Sequence, residues 1–286
     1  MPAKPLRAII DHEASQVECL LGSIHRTAAR LFAEGWAAGI AQAWIQAGAG
    51  VFAAVYQDDY VVCYGAFRQD PPSSQVMAQI DRLLTRVLAN CEGRPVFYNV
   101  RGDNLALIQH LRSRGFKGDA YGYELVCHAL PPGPVHLCGL EMRGYEFQYF
   151  DAYIHLLDQA FNPLVEQASG SRDYFWHEKE QVQAHLARLS EKGDFVSFWK
   201  GHNLVGLYYL KADLIDILAV HPDYQQRGYG GVILQHAAQR LLHQRHFPAA
   251  YLFVEAGNER AWNLYLRRGF EISGFYAENT FVGITC

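Results

Sequence analysis

Apolar residues in the second half of the chain recur with two different periods, which predicts both helices and strands. The segments Leu214–Val220 and Ala249–Ala256 are nearly continuous apolar runs of strand length. The segment Tyr174–Gly193 instead places apolar residues three or four positions apart and ends in a glycine, as an amphipathic helix does. Strands that alternate with helices in this way predict an α/β fold, with a mixed β-sheet flanked by helices.

The other periodic segments extend this prediction along most of the chain. In the first half they predict a hairpin, a helix, a strand and a helix at Val51–Phe67, Gln75–Cys91, Pro95–Val100 and Asn104–Phe116. In the second half they predict a strand leading into a helix at Phe147–Phe161, a hairpin at Phe195–Lys211, a helix from about Gly230 to Phe247, a helix at Glu259–Arg268 and a terminal hairpin from Phe270. Proline and glycine in Leu130–Pro134 interrupt both periods, which predicts two domains, residues 1–130 and 135–286.

The two halves share a local pattern that suggests a duplication. Asn104 and Gly115 in the first half have the same separation as Asn258 and Gly269 in the second. The predicted hairpins instead align Phe52 with Phe195. The separation in sequence between these two residues is shorter than the separation between Asn104 and Asn258. We therefore expect two copies of one domain, with the strand Leu214–Val220 and the loop after it missing from the first copy.

Composition excludes several classes of protein. The chain has 286 residues, of which 50% are hydrophobic and 19% charged, which is typical of a globular protein of two domains. The net charge is -4 and no basic run exceeds two residues, so we expect no nucleic-acid partner. No uncharged apolar run has the length that a membrane span needs, and the first residues lack the apolar core of a secretion signal, so we expect no membrane span. Six scattered cysteines without a CxxC pair predict reduced thiols and a cytoplasmic location.

The segment His221–Gly231 has the features of an anion-binding loop. It lies between a predicted strand and a predicted helix and contains three glycines, which allow backbone N–H groups to converge. The positive end of the helix dipole and the charge of Arg227 both favour a phosphate group there. Neither common phosphate-binding motif fits. A P-loop requires a lysine and a serine or threonine after Gly231, and a dinucleotide-binding fingerprint requires glycine where Ile233 stands.

Two motifs in this region resemble the GCN5-related N-acetyltransferase (GNAT) family. Gln225-Gln226-Arg227-Gly228-Tyr229-Gly230 resembles the acetyl-CoA loop of that family, Gln/Arg-x-x-Gly-x-Gly/Ala. The segment NERAWNLYLRRGF resembles the second motif of the family at Asn258, Ala261, Tyr265, Gly269 and Phe270. The detailed resemblance covers Leu214–Phe270, and a looser one covers about residue 135 to the end.

The resemblance implies that acetyl-CoA is the cofactor and acyl donor. In the family, the pantetheine arm lies between two separated strands and pairs with the free backbone groups of the first strand, while loop amides bind the pyrophosphate. Carried over to this sequence, the cofactor-binding residues are Leu218, Ala219, Val220, Gln225, Gln226, Arg227, Gly228, Tyr229, Gly230, Gly231, Asn258 and Tyr265. Asn258 has an equally good alternative role, because an asparagine in front of a helix often caps it.

The resemblance also suggests a proton donor. Tyr265 would protonate the departing thiolate, although an amphipathic helix can also hold a tyrosine for packing alone. A phenol has a reference pKa of about 10 and a thiol of about 8.5, so the transfer is slightly uphill and depends on position. The first half has Leu111 at the equivalent position.

The attacking amine must lose a proton, and the motifs do not decide which group receives it. Asp216 and Glu255 are both candidates, and both are equally compatible with a structural or surface role. By strand alternation alone, Asp216 is expected on the same strand face as Leu218 and Val220.

These observations predict an enzyme that transfers acetyl from acetyl-CoA to a primary amine by direct attack. The acceptor is a small molecule or a peptide, and its identity is open. Transfer of a longer acyl group is one alternative, and a non-catalytic acetyl-CoA-binding module is another. Thirteen histidines are present, but they lack the spacing of metal ligands, so we expect no metal.

Overall fold

The computed structural model of the chain describes residues 6–46, 49–70, 72–131, 133–169 and 173–283. The chain divides into two compact units, which are described separately. The first unit comprises the described residues within Met1–Glu124, Glu255–Gly257 and Ile272–Cys286, and the second comprises those within Leu125–Val254 and Asn258–Glu271. The expected boundaries differ from these, because the sequence analysis places the whole of residues 135–286 in one domain, whereas the contacts group its last strand with the first unit.

The first unit contains one mixed sheet with helices. Its elements are β1 (Arg7–Ala8), α1 (Ala14–Gly22), α2 (Arg26–Ala37), β2 (Ala41–Gln46), β3 (Gly50–Tyr56), β4 (Val61–Phe67), α3 (Ser74–Ala89), β5 (Val96–Arg101), α4 (Leu105–Ser113), most of β6 (Phe116–Cys127) and β12 (Glu271–Phe281). The strand order is β1-β2-β3-β4-β5-β12-β6. Strands β4 and β5 are parallel, and the pairs from β1 to β4 and between β5 and β12 are antiparallel.

The second unit repeats this arrangement. Its elements are β7 (Glu141–Arg143), α5 (Phe150–Ser169), α6 (Tyr174–His177), α7 (Lys179–Glu191), β8 (Phe195–Lys200), β9 (Asn203–Lys211), β10 (Leu214–Val220), α8 (Tyr229–Gln239), β11 (Ala250–Glu255) and α9 (Glu259–Arg267). A single π-helical turn, Arg240–Gln244, continues α8. The strand order is β11-β10-β9-β8-β7, with β10 parallel to β11 and antiparallel to β9.

The structure corrects the expected alignment of the two halves. β2 begins at Ala41 and β8 at Phe195, so the strands repeat at the same spacing as Asn104 and Asn258 do. The first unit therefore keeps all three antiparallel strands, and β4, not a missing segment, is the counterpart of β10. The alignment of Phe52 with Phe195 wrongly matched the hairpin β3–β4 with the hairpin β8–β9. The cause is that β2 was not predicted, because this strand, AQAWIQ, is short and rich in alanine and glutamine.

Two local predictions are also corrected. The chain end forms the single strand β12 and not a hairpin, because Tyr276–Thr280 runs in unbroken register beside Phe97–Arg101. The Asn279 side chain donates to the carbonyl oxygen of Tyr98 at 3.0 Å, which fixes this strand where a turn was expected. Residues Phe147–Tyr149 form a short 3-10 turn before α5 and not a strand.

Apolar cores secure the elements in both units. In the second unit, α5 and α7 pack on one face of the sheet, with Tyr153, Leu186, Phe195 and Trp199 all nearly inaccessible to solvent. Ile233 and Leu234 of α8 are fully buried as well. The first unit has separate cores on the two faces of its sheet.

Candidate active site

An opening between β10 and β11 is the main feature of the second unit. In the described part of the chain these parallel strands pair at one position only, Leu214 with Tyr251. On its other side β10 remains paired with β9 as far as Val220, opposite Gly206. The strands therefore separate after Leu214, and within the described residues no strand bonds to that edge of β10 beyond this point.

The backbone of β10 presents polar groups to this opening. The N–H of His221 donates to the carbonyl oxygen of Val205 on β9 at 2.9 Å. Because successive residues of a strand point their backbone groups to opposite sides, the groups of Leu218 and Val220 face the opening. The side chain of Gln225 donates to the Val220 carbonyl oxygen at 3.1 Å, so the N–H of Val220 and both groups of Leu218 remain for a ligand.

A β-bulge lies at Asp216. Ile215 pairs with Leu210 and Ile217 with Tyr209, so Asp216 is an extra residue in the ladder. The regular alternation assumed from the sequence therefore does not connect Asp216 to Leu218 and Val220. The residue is accessible to solvent, but partial desolvation of its carboxyl group raises the pKa of Asp216, and Lys211 and His185 act in the opposite direction. A charged residue inside an apolar strand was the only sequence signal of this bulge.

The glycine loop ends at the N-terminus of α8. Gly228 is the N-cap residue and has a left-handed conformation with φ of 86°, which favours glycine. The N–H of Gly231 bonds to the carbonyl oxygen of Gly228 at 3.1 Å. A side chain at Gly231 would collide with the Arg268 guanidinium. The first-turn amides of Tyr229 and Gly230 have no place in the helical ladder and are available to an anion.

Three cations from different elements contact this loop. Arg227 lies over the ring of Tyr224 at 5.5 Å, and Arg260 donates to the Gln225 side-chain oxygen at 3.3 Å. Lys200 donates to the Tyr229 hydroxyl at 3.2 Å. None of the three forms an ion pair with a described carboxylate. Sequence reasoning found only Arg227, because Lys200 is distant along the chain and Arg260 stands at an unspecified position of the second motif.

Tyr265 and Asn258 lie at the two ends of α9. Tyr265 is 9% exposed, and burial raises its pKa to about 12. Its ring centroid lies 6.3 Å from that of Phe270. The Asn258 side-chain oxygen accepts the N–H of Ala261 at 3.2 Å, so this residue caps the helix, which is one of its two expected roles.

Glu255 has a different environment from Asp216. It is the last residue of β11, and its side-chain oxygen accepts the N–H of Tyr121 at 3.4 Å. Burial raises its pKa. The contacts place Glu255 with the first unit, where Tyr121 also lies.

Other candidate chemistry has structural explanations. The described residues contain no group of three or more His, Cys, Asp or Glu side chains that could hold a metal ion. His236 bonds to the buried Tyr208 hydroxyl at 3.0 Å, and Asp158 accepts the N–H groups of Phe175 and Trp176. Among the described helices, none has both the length and the apolar composition that crossing a bilayer requires.

Comparison with known families identifies the second unit. Residues 150–270 match the acetyltransferase (GNAT) family. This segment is a GNAT domain. The match covers the separated strands, the glycine loop and α9, and members of this family transfer acyl groups from coenzyme A thioesters. No curated protein matches the chain significantly.

Solved structures show that the fold extends beyond the GNAT segment. A GCN5-related N-acetyltransferase from Sphaerobacter thermophilus is 15% identical, with a TM-score of 0.52, and covers 98% of this chain and 97% of its own. A GNAT-family acetyltransferase from Colwellia psychrerythraea is 12% identical, with a TM-score of 0.50, and covers 96% of this chain and 99% of its own. At these identities the likeness concerns the fold alone. Both units have a GNAT-like arrangement, a mixed sheet flanked by helices.

Proposed function

We propose that the second unit transfers an acetyl group from acetyl-CoA to a primary amine by direct attack. The observation that carries this proposal is the opening between β10 and β11, which ends at the glycine loop. The family relationship makes a coenzyme A thioester the donor class, and the free edge of β10 suits an extended pantetheine arm. The proposed cofactor-binding set consists of Leu218, Ala219, Val220, Gln225–Gly231, Asn258 and Tyr265.

Each group has a defined part in the proposed reaction. The amides at the start of α8, together with Arg227, bind the pyrophosphate. An N–H of β10 donates to the thioester oxygen and stabilises the negative charge that develops on it. The amine gives up a proton to Asp216 or Glu255, the two candidate bases, directly or through water. Its nitrogen bonds to the acyl carbon, the carbon–sulfur bond breaks, and the thiolate takes a proton from Tyr265.

The burial of Tyr265 sets the demands on this last step. With its pKa raised to about 12, the phenol stays protonated throughout the physiological range and is always ready to donate. The raised pKa of the phenol widens its gap to the pKa of the thiol, so proton transfer to the thiolate is less favourable than between unperturbed groups. The transfer therefore requires the phenol to be close to the sulfur as the carbon–sulfur bond breaks.

We infer that the first unit is a degenerate copy without a cofactor site, so the chain binds one acetyl-CoA. It has Leu111 in place of the proposed proton donor and no glycine between β4 and α3. The scattered cysteines favour the cytoplasm as the location.

Incubation with acetyl-CoA and a panel of small amines and peptides tests the proposal. We expect thiol release that depends on the amine, together with an acetylated product. Binding of acetyl-CoA without turnover for every amine would favour the non-catalytic module. Faster turnover with a longer acyl-CoA would favour the alternative donor.

A further inference from the structure

Arg268 is a cation at the cofactor loop that the proposed reaction does not use. It is the C-cap residue of α9, and its guanidinium lies against Gly231 in the first turn of α8. An ideal Cβ on Gly231 would lie 2.8 Å from the Arg268 Cζ, so the absence of a side chain at this position allows the contact. The guanidinium therefore lies beside the helix N-terminus that holds the proposed pyrophosphate site.

No described carboxylate neutralises Arg268. Its side chain forms no ion pair within the part of the chain that the structure describes, and the residue is exposed to solvent. The positive end of a helix dipole is unfavourable for a cation, so α8 gives the guanidinium no electrostatic stabilisation. An arginine in such a position is suited to bind an anion.

The corresponding arginine of the first unit has a partner. Arg114 directly precedes the glycine that follows α4, as Arg268 precedes the glycine that follows α9, and the Arg114 Nε lies 3.4 Å from the Asp81 carboxylate of α3. At the same separation in sequence, α8 has the uncharged Gln235 in place of Asp81. Gln235 lies one helical turn after Gly231, on the same face of α8. Both units thus keep the arginine, but the unit with the cofactor loop lacks the internal counter-charge.

The positive charge around the loop exceeds the negative charge of a pyrophosphate. Arg268 is a fourth cation beside Lys200, Arg227 and Arg260, which contact side chains of the loop. The one carboxylate of the loop, Asp223, pairs with none of them among the described residues. The pyrophosphate of coenzyme A has one negative charge on each phosphate, and the 3′-phosphate, a monoester, adds about 1.5 to 2 more at pH 7. Four cations therefore match the complete cofactor better than its pyrophosphate alone.

Resting on the cofactor site of the proposed function, we propose that Arg268 binds the 3′-phosphate of coenzyme A and makes the second unit select coenzyme A thioesters over their 3′-dephospho forms. The loop amides and Arg227 bind the pyrophosphate, which one ribose separates from the 3′-phosphate. A guanidinium can donate two parallel hydrogen bonds to phosphate oxygens, whereas a lysine ammonium acts as a point charge. Arg268 is a specificity-determining residue that holds the adenosine end and takes no part in acyl transfer.

Calorimetry with acetyl-CoA and 3′-dephospho-acetyl-CoA tests this assignment, because the two ligands differ only in the 3′-phosphate. We expect the native protein to bind acetyl-CoA about tenfold more tightly. Arg268→Met should weaken acetyl-CoA binding by about tenfold and leave the affinity for 3′-dephospho-acetyl-CoA within about twofold of native. Arg268→Lys should keep part of the preference. Arg267→Met is the matched control with native affinities for both ligands, because it removes the same charge from the same exposed end of α9.

A second variant reproduces the arrangement of the first unit. Gln235→Asp supplies the counter-charge that Asp81 provides to Arg114, and should reduce the preference for acetyl-CoA by about threefold. Thermal unfolding should show that Gln235→Asp and Arg268→Met are folded as the native protein is. An unchanged preference in both variants would overturn the assignment of Arg268.

The other outcomes separate this assignment from the proposed function. Equal native affinity for the two ligands would overturn the assignment. An equal loss of both affinities in Arg268→Met would also overturn it, and would place the arginine at the pyrophosphate. Acetyl-CoA binding with the expected preference, but without turnover of any amine, would overturn the proposed acyl transfer and support the assignment. If neither ligand binds, both proposals fail.

Discussion

The two units arrange the same strands differently at one place, and the difference separates a packed sheet from a ligand cleft. In the first unit, β4 and β5 pair at five consecutive positions, from Val61–Val96 to Gly65–Val100. In the second, the equivalent β10 and β11 pair at one described position. A backbone that is fully bonded to its neighbour has no groups left for a pantetheine arm. The number of bonded pairs therefore distinguishes the two units more directly than their overall topology does.

The asparagine shared by the two units shows how this difference is maintained. The Asn104 side chain donates to the carbonyl oxygen of Phe67 and accepts its N–H, both at 2.8 Å, which bonds the end of β4 to the start of α4. Asn258 caps its own helix through Ala261 and leaves the end of β10 free. Asn104 thus ties the end of its strand to the next helix, whereas Asn258 leaves the end of the corresponding strand free.

The loops after β4 and β10 also differ in whether they leave the next helix N-terminus open to a ligand. In the first unit the chain reads RQDPPS, and the hydroxyl of Ser73 caps the N-terminus of α3. Asp70 lies in this loop and accepts the N–H of Ala106 at the start of α4. The Ser73 cap thus occupies an amide of α3 of the kind that an anion would use. α8, by contrast, begins at Gly228 with no side-chain cap.

Removal of the Tyr265 hydroxyl should have the largest effect. Tyr265→Phe makes this position as inert as Leu111 and should lower kcat by about 10²–10⁴-fold, the range of a general acid. Acetyl-CoA affinity and thermal stability should change little, because the ring is retained. Single-turnover kinetics together with calorimetry checks both. An unchanged kcat would assign the proton donor elsewhere.

Placing an acidic residue at the N-cap of α8 should abolish most cofactor binding. Gly228→Asp places a negative charge at the α8 N-terminus, and aspartate tolerates the left-handed conformation. Loss of the dipole contact and repulsion of the pyrophosphate should weaken coenzyme A binding by about 10²-fold, roughly 3 kcal/mol. Gly201→Asp is the control, since Gly201 also has a positive φ of 61° but lies in the β8–β9 turn. Equal losses of affinity in both variants would contradict this account of the loop.

The two asparagines should differ in their contribution to stability. Asn104→Ala leaves the buried N–H and carbonyl of Phe67 without their side-chain partner and should cost about 2–3 kcal/mol of unfolding free energy. Asn258→Ala removes one helix cap and should cost about 1 kcal/mol. Denaturant unfolding measures both. Calorimetry should still give one coenzyme A per chain for Asn104→Ala; a second site would show that this asparagine alone closes the first unit.

Acid should destabilise both units modestly through the buried His25 and the half-buried His236. Burial lowers the pKa of His236 in the second unit and of His25 in the first to about 4, from a usual 6.5. As the pH falls from about 6.5 towards 4, the unfolded chain takes up protons that the folded chain does not, so stability present above 6.5 is lost over this window.

His236→Asn keeps a polar atom near Tyr208 and should reduce the fall in Tm between pH 7 and 4.5 by about 2–4 °C, or ~1 kcal/mol. The exposed His202→Asn is the control and should leave the pH dependence unchanged. If Tm falls equally with pH in the native protein, His236→Asn and His202→Asn, His236 is not a cause of the acid destabilisation.

Local signals in the sequence predicted the family, and they supplied the central residues of the candidate site. The glycines after Val220 and the boundaries of α9 at Asn258 and Gly269 depend on adjacent residues, so a short segment is sufficient to find them. The bulge at Asp216, the cations Lys200 and Arg260, and the double hydrogen bond of Asn104 depend on partners far along the chain. Strand β2 was not predicted, because alanine and glutamine give little strand signal. Its omission shifted the alignment of the whole first half.

The placement of β12 limits how the two halves of this protein can be separated. Because Tyr276–Thr280 runs beside β5 of the first unit, a gene cut at the proline segment would yield an N-terminal fragment whose sheet ends in an unprotected edge. Unprotected edges recruit other chains and promote aggregation. Soluble expression of the first half should therefore require the last strand to be supplied as well, either as a separate peptide or through a circularly permuted gene.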